Sequence, residues 1–124
     1  DKVGIKFNNS RTMVNTLDSH RLIGLAKRYN KHLEMVDAIF HAYFEEAVNI
    51  SKLSNLEKIG AAILGDTMPQ EQLKEFLEGE ELRAEIQQEI SSARQNSVTG
   101  VPAFTVVDPV TNKGFVLCAL CIFC

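Results

Sequence analysis

Apolar residues follow two different periods along this chain, one at its two ends and another through its middle. Val3, Ile5 and Phe7 alternate with smaller or polar residues, which predicts a half-buried leading strand over residues 3–8. Asn9-Ser10-Arg11-Thr12 reads as a polar turn. Beyond it the apolar positions recur every three or four residues, and five helices are predicted. The first is capped by Asn15 or Thr16, has Asp18 in its first turn, and carries Leu17, Leu22, Ile23, Leu25 and Ala26 towards Asn30. The second runs from near His32 to Val48. Its broad stripe (Leu33, Val36, Ile39, Phe40, Tyr43, Phe44, Ala47) predicts a face laid on a core, Tyr43 and Phe44 included.

The third helix is predicted to start at a capping box, Ser54-Asn55-Leu56-Glu57, and to stop at Gly65. Thr67-Met68-Pro69-Gln70 opens the fourth, with proline in the first turn where a missing N–H costs nothing, and Gly79 ends it. A fifth spans residues 80–96 with only Leu82, Ile86, Ile90 and Ala93 as apolar positions, the narrow stripe of a helix wet on one side. The strand period then returns. Gly100 supplies backbone freedom, Pro102 fixes its own φ and forces Val101 out of the α region. Phe104, Val106 and Val107 predict a buried strand, Asp108 to Gly114 a hairpin connection, and Phe115-Val116-Leu117 the returning strand. Taken alone, the Gly-Val-Pro corner is an ordinary helix-to-strand turn.

Composition narrows the function classes. The 124 residues suffice for one compact domain with one modest core, and 45% hydrophobic with 23% charged residues is ordinary for a soluble protein. A net charge of −3 gives no basic face for nucleic acid. No apolar run approaches the roughly 20 residues that span a bilayer. No basic start followed by an apolar segment suggests a secretion signal. A first residue that is Asp rather than Met suggests a fragment or a processed form. All three cysteines, Cys118, Cys121 and Cys124, fall in the last seven residues. That is not a disulfide framework, and it fits a reducing, cytoplasmic setting.

Three groupings invite a chemical reading. Cys118 and Cys121, and equally Cys121 and Cys124, have redox spacing, but an apolar tail without neighbouring cations raises a thiol's pKa instead of lowering it. Three thiolates also lack a fourth ligand for zinc, so no metal is expected there. His20, His32 and His41 could serve as a general-base or metal set, or be partly buried histidines satisfied by backbone or carboxylate. Glu45-Glu46 and Glu78-Gly79-Glu80-Glu81 read as solvated faces and caps.

Three segments occur in order at suitable spacings: Asn15-Thr16-Leu17-Asp18-Ser19-His20-Arg21-Leu22, then Phe40-His41-Ala42-Tyr43-Phe44-Glu45-Glu46 with Ile50, then Gly100-Val101-Pro102-Ala103-Phe104. Together they resemble the DsbA-like thioredoxin domain family, in its FrnE-type branch of thiol–disulfide oxidoreductases, over residues 3–117. The resemblance implies an α/β fold, thioredoxin-like of the DsbA type but incomplete, dominated by an all-helical insertion and followed by a β-hairpin. Residues 1–96 would be the leading strand plus helical insertion, and residues 97–124 the partial thioredoxin hairpin.

The resemblance also implies roles. Pro102 would be the family's cis-proline, Val101 the residue whose backbone pairs with an extended polypeptide, and Gly100 the small neighbour that allows close approach. His20 and Arg21 become candidate cleft residues. The family's Cys-x-x-Cys would precede Val3, and its closing Ser-Gly pair and helix would follow Leu117. Neither is present, so the chain is expected to be truncated at both ends and inactive by itself, without cofactor. Expected partners are an extended polypeptide or thiol substrate, with glutathione a further candidate and no nucleic acid or membrane. A second copy could pair through the open sheet edge. Two alternatives remain open: a non-catalytic helical binding or remnant module, and a relative of the kappa-class glutathione transferases and hydroxychromene-carboxylate isomerases.

Overall fold

The computed structural model of the chain describes residues 3–98, 100 and 102–118. Among them are five α-helices, α1 (Leu17–Lys27), α2 (His32–Phe40), α3 (Leu53–Leu64), α4 (Gln70–Glu78) and α5 (Arg83–Gln95). A π-helical turn, His41–Glu45, continues α2, and two strands follow, β1 (Ala103–Val107) and β2 (Gly114–Cys118). Contacts divide the chain into two units, Asp1–Ile86 and Gln87–Cys124, with the division inside α5. No helix among the described residues is long and apolar enough to cross a membrane.

In the first unit α1 packs on α2 and α3, and α3 on α2 and α4. Leu22, Leu25 and Ala26 of α1 meet Met35 and Ile39 of α2, Leu56 and Leu64 of α3, and Leu73, Phe76 and Leu77 of α4 in one core, closed by Ile50. Burying each leucine is worth about 2 kcal/mol. Gly60 sets how closely α3 approaches its neighbours. A Cβ there would lie 2.9 Å from Leu73 Cδ2 and 3.2 Å from Leu22 Cδ1, both on fully packed side chains.

Helix ends follow local chemistry. Asn15 Oδ1 accepts the Leu17 N–H at 2.9 Å to start α1. Asn30, at φ +56°, ends it as Lys31 N donates to Ala26 O at 3.0 Å. Pro69 caps α4, and Gly79 N closes it on Glu75 O at 2.9 Å. The predicted capping box is not formed. α3 begins at Leu53, so Ser54 already sits inside the first turn, where its backbone cannot act as a cap. The preceding loop is organised instead by Asn49, whose Oδ1 accepts the Ser51 N–H at 2.9 Å and whose carbonyl accepts from Asn55 Nδ2 at 2.9 Å.

Three further expectations are corrected. Residues 3–8 are irregular chain, not a strand: the ladder among the described residues is that of β1 with β2, and residues 3–8 take no part in it. Asn8 N donates to Phe44 O at 2.7 Å, which ties the segment to the π-turn. The second helix is α-helical only to Phe40, and the chain turns at Ala47, φ +55°, with Val48 N donating to Ala42 O at 2.8 Å. Its stripe is too broad for one core. Ile39 is buried, whereas Leu33 and Phe40 are 65% and 55% exposed, and Met35, outside the predicted stripe, is fully buried. α5 starts at Arg83, after Leu82 at φ +62°, and has no fully buried residue.

In the second unit β1 and β2 pair antiparallel, with Ala103 opposite Cys118 and Val107 opposite Gly114. Asp108 builds the tip: its backbone N donates to Lys113 O at 2.8 Å, and its carboxylate accepts from Val110 N at 2.8 Å and from Thr111 Oγ1 at 2.6 Å. These bonds hold the Asp108 carboxyl below its usual pKa, the Thr111 hydroxyl contributing most. The strand expected to be buried is exposed at all five positions of β1. Two strands without a covering layer cannot enclose their own side chains.

Candidate functional site

The residues singled out in the sequence separate in space. Gly100 and Pro102 are described, with Pro102 exposed and leading directly into β1. Val101, and with it the Val101–Pro102 peptide bond, lies outside the described residues, as do Cys121 and Cys124. Cys118 is the last residue of β2.

Arg21 does not face a cleft. It is fully buried, and every nitrogen of its guanidinium is engaged. Nε donates to Glu81 O at 2.8 Å, Nη2 to Phe76 O at 2.8 Å and Gly79 O at 2.7 Å, and Nη1 to Asp18 Oδ1 at 2.8 Å. Its carbon lies 5.0 Å from the Phe76 ring centroid. The planar fork thus collects the carbonyls that end α4 and ties the following turn to α1. His20, one residue earlier and so about 100° round the helix, is exposed and lines an apolar recess of about 140 Å³ with Ile23, Tyr43 and Ile50.

Phe40 and Phe44 line that recess and also a larger groove of about 590 Å³. Ile5 and Phe7 complete the apolar lining of the groove, and Asp37, His41 and Glu45 its polar part. Phe44 is the hub. Its ring meets Phe7 edge-on at 5.9 Å, Phe40 at 5.7 Å and Tyr43 at 4.9 Å. The Arg11 guanidinium stands 5.3 Å from the Phe44 centroid and 5.8 Å from that of Phe7. Phe40 and Phe44, four residues apart, share one side of the turn, and the Asn8 N–H on Phe44 O brings Phe7 against them. Ala47 in the left-handed region, a strained position for alanine, closes the same turn.

His41 is bridged by two carboxylates, Nδ1 to Glu45 Oε1 at 3.0 Å and Nε2 to Glu46 Oε1 at 3.3 Å. The hydrogen bond to Glu45, followed by the charges of Glu45 and Glu46, holds the His41 pKa above its ordinary value. The same hydrogen bond, helped by the Lys6 backbone N–H, holds Glu45 below the usual carboxylate range. The groove therefore offers phenyl rings and negative charge, which suit an apolar group beside a cation; none of its described lining residues carries a thiol. Among the described residues no group of three or more His, Cys, Asp or Glu is placed to hold a metal.

Sequence patterning did not reveal this groove. Its signals were present in the stripe of the second helix, wider than one core can cover, and in the alternation of residues 3–7. A family model described as DSBA-like thioredoxin domain matches residues 1–117. No curated protein matches the chain. The described architecture, five helices and a small antiparallel sheet, is consistent with part of a thioredoxin-like fold.

Proposed function

Because the chain belongs to the DSBA-like thioredoxin domain family, we propose that it is the helical and peptide-docking part of a thiol–disulfide oxidoreductase of the FrnE type. The match across residues 1–117 carries this reading. Support comes from Pro102, which leads directly into a strand of an antiparallel hairpin. Gly100, Val101 and Pro102 receive an extended polypeptide in this reading, by main-chain pairing along a strand edge. His20 lines the apolar recess beside Phe40 and Phe44 and is a candidate for contact with apolar groups there.

Exchange proceeds by attack of a thiolate on a substrate disulfide: one new S–S bond forms, the old one breaks, and a substrate thiolate leaves. A second enzyme thiolate then attacks the mixed disulfide and frees the reduced substrate, so the two electrons gained by the substrate come from the enzyme's dithiol. Residues 1–117 contain no cysteine. The reading therefore assigns the dithiol to a Cys-x-x-Cys outside them, and not to the apolar stretch of Cys118, Cys121 and Cys124.

A combined experiment tests it. An extended cysteine-containing peptide, titrated into the 124-residue chain, should shift the NMR amide signals of Gly100 and Ala103 to Thr105. Insulin reduction by the same chain should stay at the uncatalysed rate. Amide shifts confined to other segments would overturn the docking assignment. Reduction that persists with Cys118, Cys121 and Cys124 all changed to serine would overturn the chemistry. Saturable glutathione binding by calorimetry would replace this reading with the glutathione transferase one.

A further inference from the structure

Ile5 and Phe7, two residues apart, both line the aromatic groove, as alternate residues of a strand would. Among the described residues their backbone N–H and C=O groups have no hydrogen-bond partner, and the intervening Lys6 N reaches only Glu45 Oε2, at 3.5 Å. A row of unpaired main-chain groups beside an apolar trough matches the way extended polypeptides are captured, with backbone pairing for affinity and a trough for alternate side chains.

The side chains narrow the choice of occupant. Phe7 and Phe40 are 62% and 55% exposed, although each carries a large apolar ring. The groove volume, about 590 Å³, holds one or two bulky side chains. Asp37 and Glu45 line it, and Glu46 is held next to it through His41. Arg11 is already engaged against the ring faces of Phe7 and Phe44. Of the charged or chargeable groups that line the trough, Asp37 and Glu45 are acidic and His41 alone is basic, so negative charge outweighs positive there. With a net charge of −3 on the chain, a second copy and an anionic lipid surface are both electrostatically disfavoured as occupants.

We propose that the groove formed by residues 5–7, α2 and the π-turn is a second docking site for polypeptide, taking an extended segment with a large apolar side chain flanked by Lys or Arg. It rests on the reading above only in taking a polypeptide as the substrate. The backbone of the visiting segment pairs with Ile5 and Phe7, its apolar side chain enters between Phe7 and Phe40, and its cation meets Asp37 and Glu45.

Fluorescence anisotropy on the 124-residue chain tests this with two labelled, cysteine-free peptides, Lys-Val-Phe-Val-Lys and Glu-Val-Phe-Val-Glu. The basic peptide should bind at least about tenfold more tightly, with the difference shrinking at high salt. Phe40→Ser should weaken it by about tenfold, the order of a lost apolar anchor, and Glu45→Gln should narrow the gap between the two peptides. Hydrogen exchange at the Ile5 and Phe7 amides should slow when the basic peptide is bound. If Phe40→Ser fails to fold, Glu45→Gln and the amide protection still decide the matter. Equal affinity for the two peptides, no binding of either, or a self-associated chain with the groove already covered would overturn the proposal. Because neither peptide has a sulfur atom, failure here leaves the disulfide-exchange reading intact. Failure of exchange likewise leaves this one intact.

Discussion

The helical unit and the hairpin unit solve the same problem with different success. Residues 17–78 form helices that satisfy their own backbone groups and need neighbours only for one stripe each, and eleven side chains close into a shared core. The hairpin satisfies half of its backbone groups across β1 and β2, and among the described residues no third strand pairs with either outer edge; every β1 side chain is exposed. A helix carries its hydrogen bonds with it, whereas a strand borrows them from its neighbours. Helices can therefore close a shared core where a two-stranded hairpin does not. Residues 3–8 show the same asymmetry, with strand-like alternation and no ladder.

Hydrogen exchange should show this contrast most strongly. Amides in the centres of α1 and α3 should open only with most of the global unfolding free energy, of order 5 kcal/mol, and those of Phe104 to Val106 with about 1 kcal/mol or less. The two rates should differ by about a thousandfold. Equal protection in both units would erase the distinction. Protection of the hairpin that rises with protein concentration would identify a second copy pairing along the open edge of β1, where Ala-Phe-Thr-Val-Val carries no charge, proline or bulge to prevent it.

The next largest effect belongs to one side chain of the helical unit. Arg21→Met removes the donors to the buried Phe76 O and the part-buried Gly79 O and Glu81 O, and leaves Asp18 with Arg83 Nη2, at 3.4 Å, in place of two cations. Urea denaturation should show a loss of about 3 kcal/mol. Arg21→Lys, which keeps the charge but loses the planar fork, should lie between the variant and the wild type. Exchange in the hairpin should not change. A loss below about 1 kcal/mol for Arg21→Met would mean that the end of α4 is held by packing alone.

Arg21 also marks the limit of sequence reading in this chain. Gly65, Pro69 and Gly79 punctuate the helices where backbone chemistry alone requires it, so the helix order, the α3–α4 break and the hairpin were legible. The partners of Arg21 lie 55 to 60 residues away, on carbonyls that any sequence could supply, and nothing local distinguishes a cleft arginine from a buried clamp. Ser54 and Glu57 have capping-box spacing, yet the bonds of Asn49 start α3 earlier. The aromatic groove escaped notice because periodicity assumes one uniform helix. Here the α-helix ends at Phe40 and gives way to the π-turn and the reversal at Ala47. The strand after Pro102 was legible from its β-branched and aromatic residues, a local property, but its exposure was not.

The smallest effect tests whether the groove, although partly solvated, is an organised part of the helical unit. The His41 pKa is raised by the hydrogen bond to Glu45 and the charges of Glu45 and Glu46, so its contribution is complete below the unfolded value of 6.5 and is lost as the pH rises through the higher folded value. Glu45 is shifted downward, so its contribution is present above its unfolded value of 4.5 and is lost as the pH falls through the lower folded value. Both are charged together between those limits. The thermal midpoint of the wild type should therefore exceed that of His41→Gln most clearly between pH 4.5 and 6.5 and converge with it in alkali. Both groups are solvent-exposed, so the difference should be small and should fade in high salt. A difference that grew above pH 8 would show that His41 acts as a neutral ring packed on Phe44, and the acidic rim would then lack the internal cation that sets its charge.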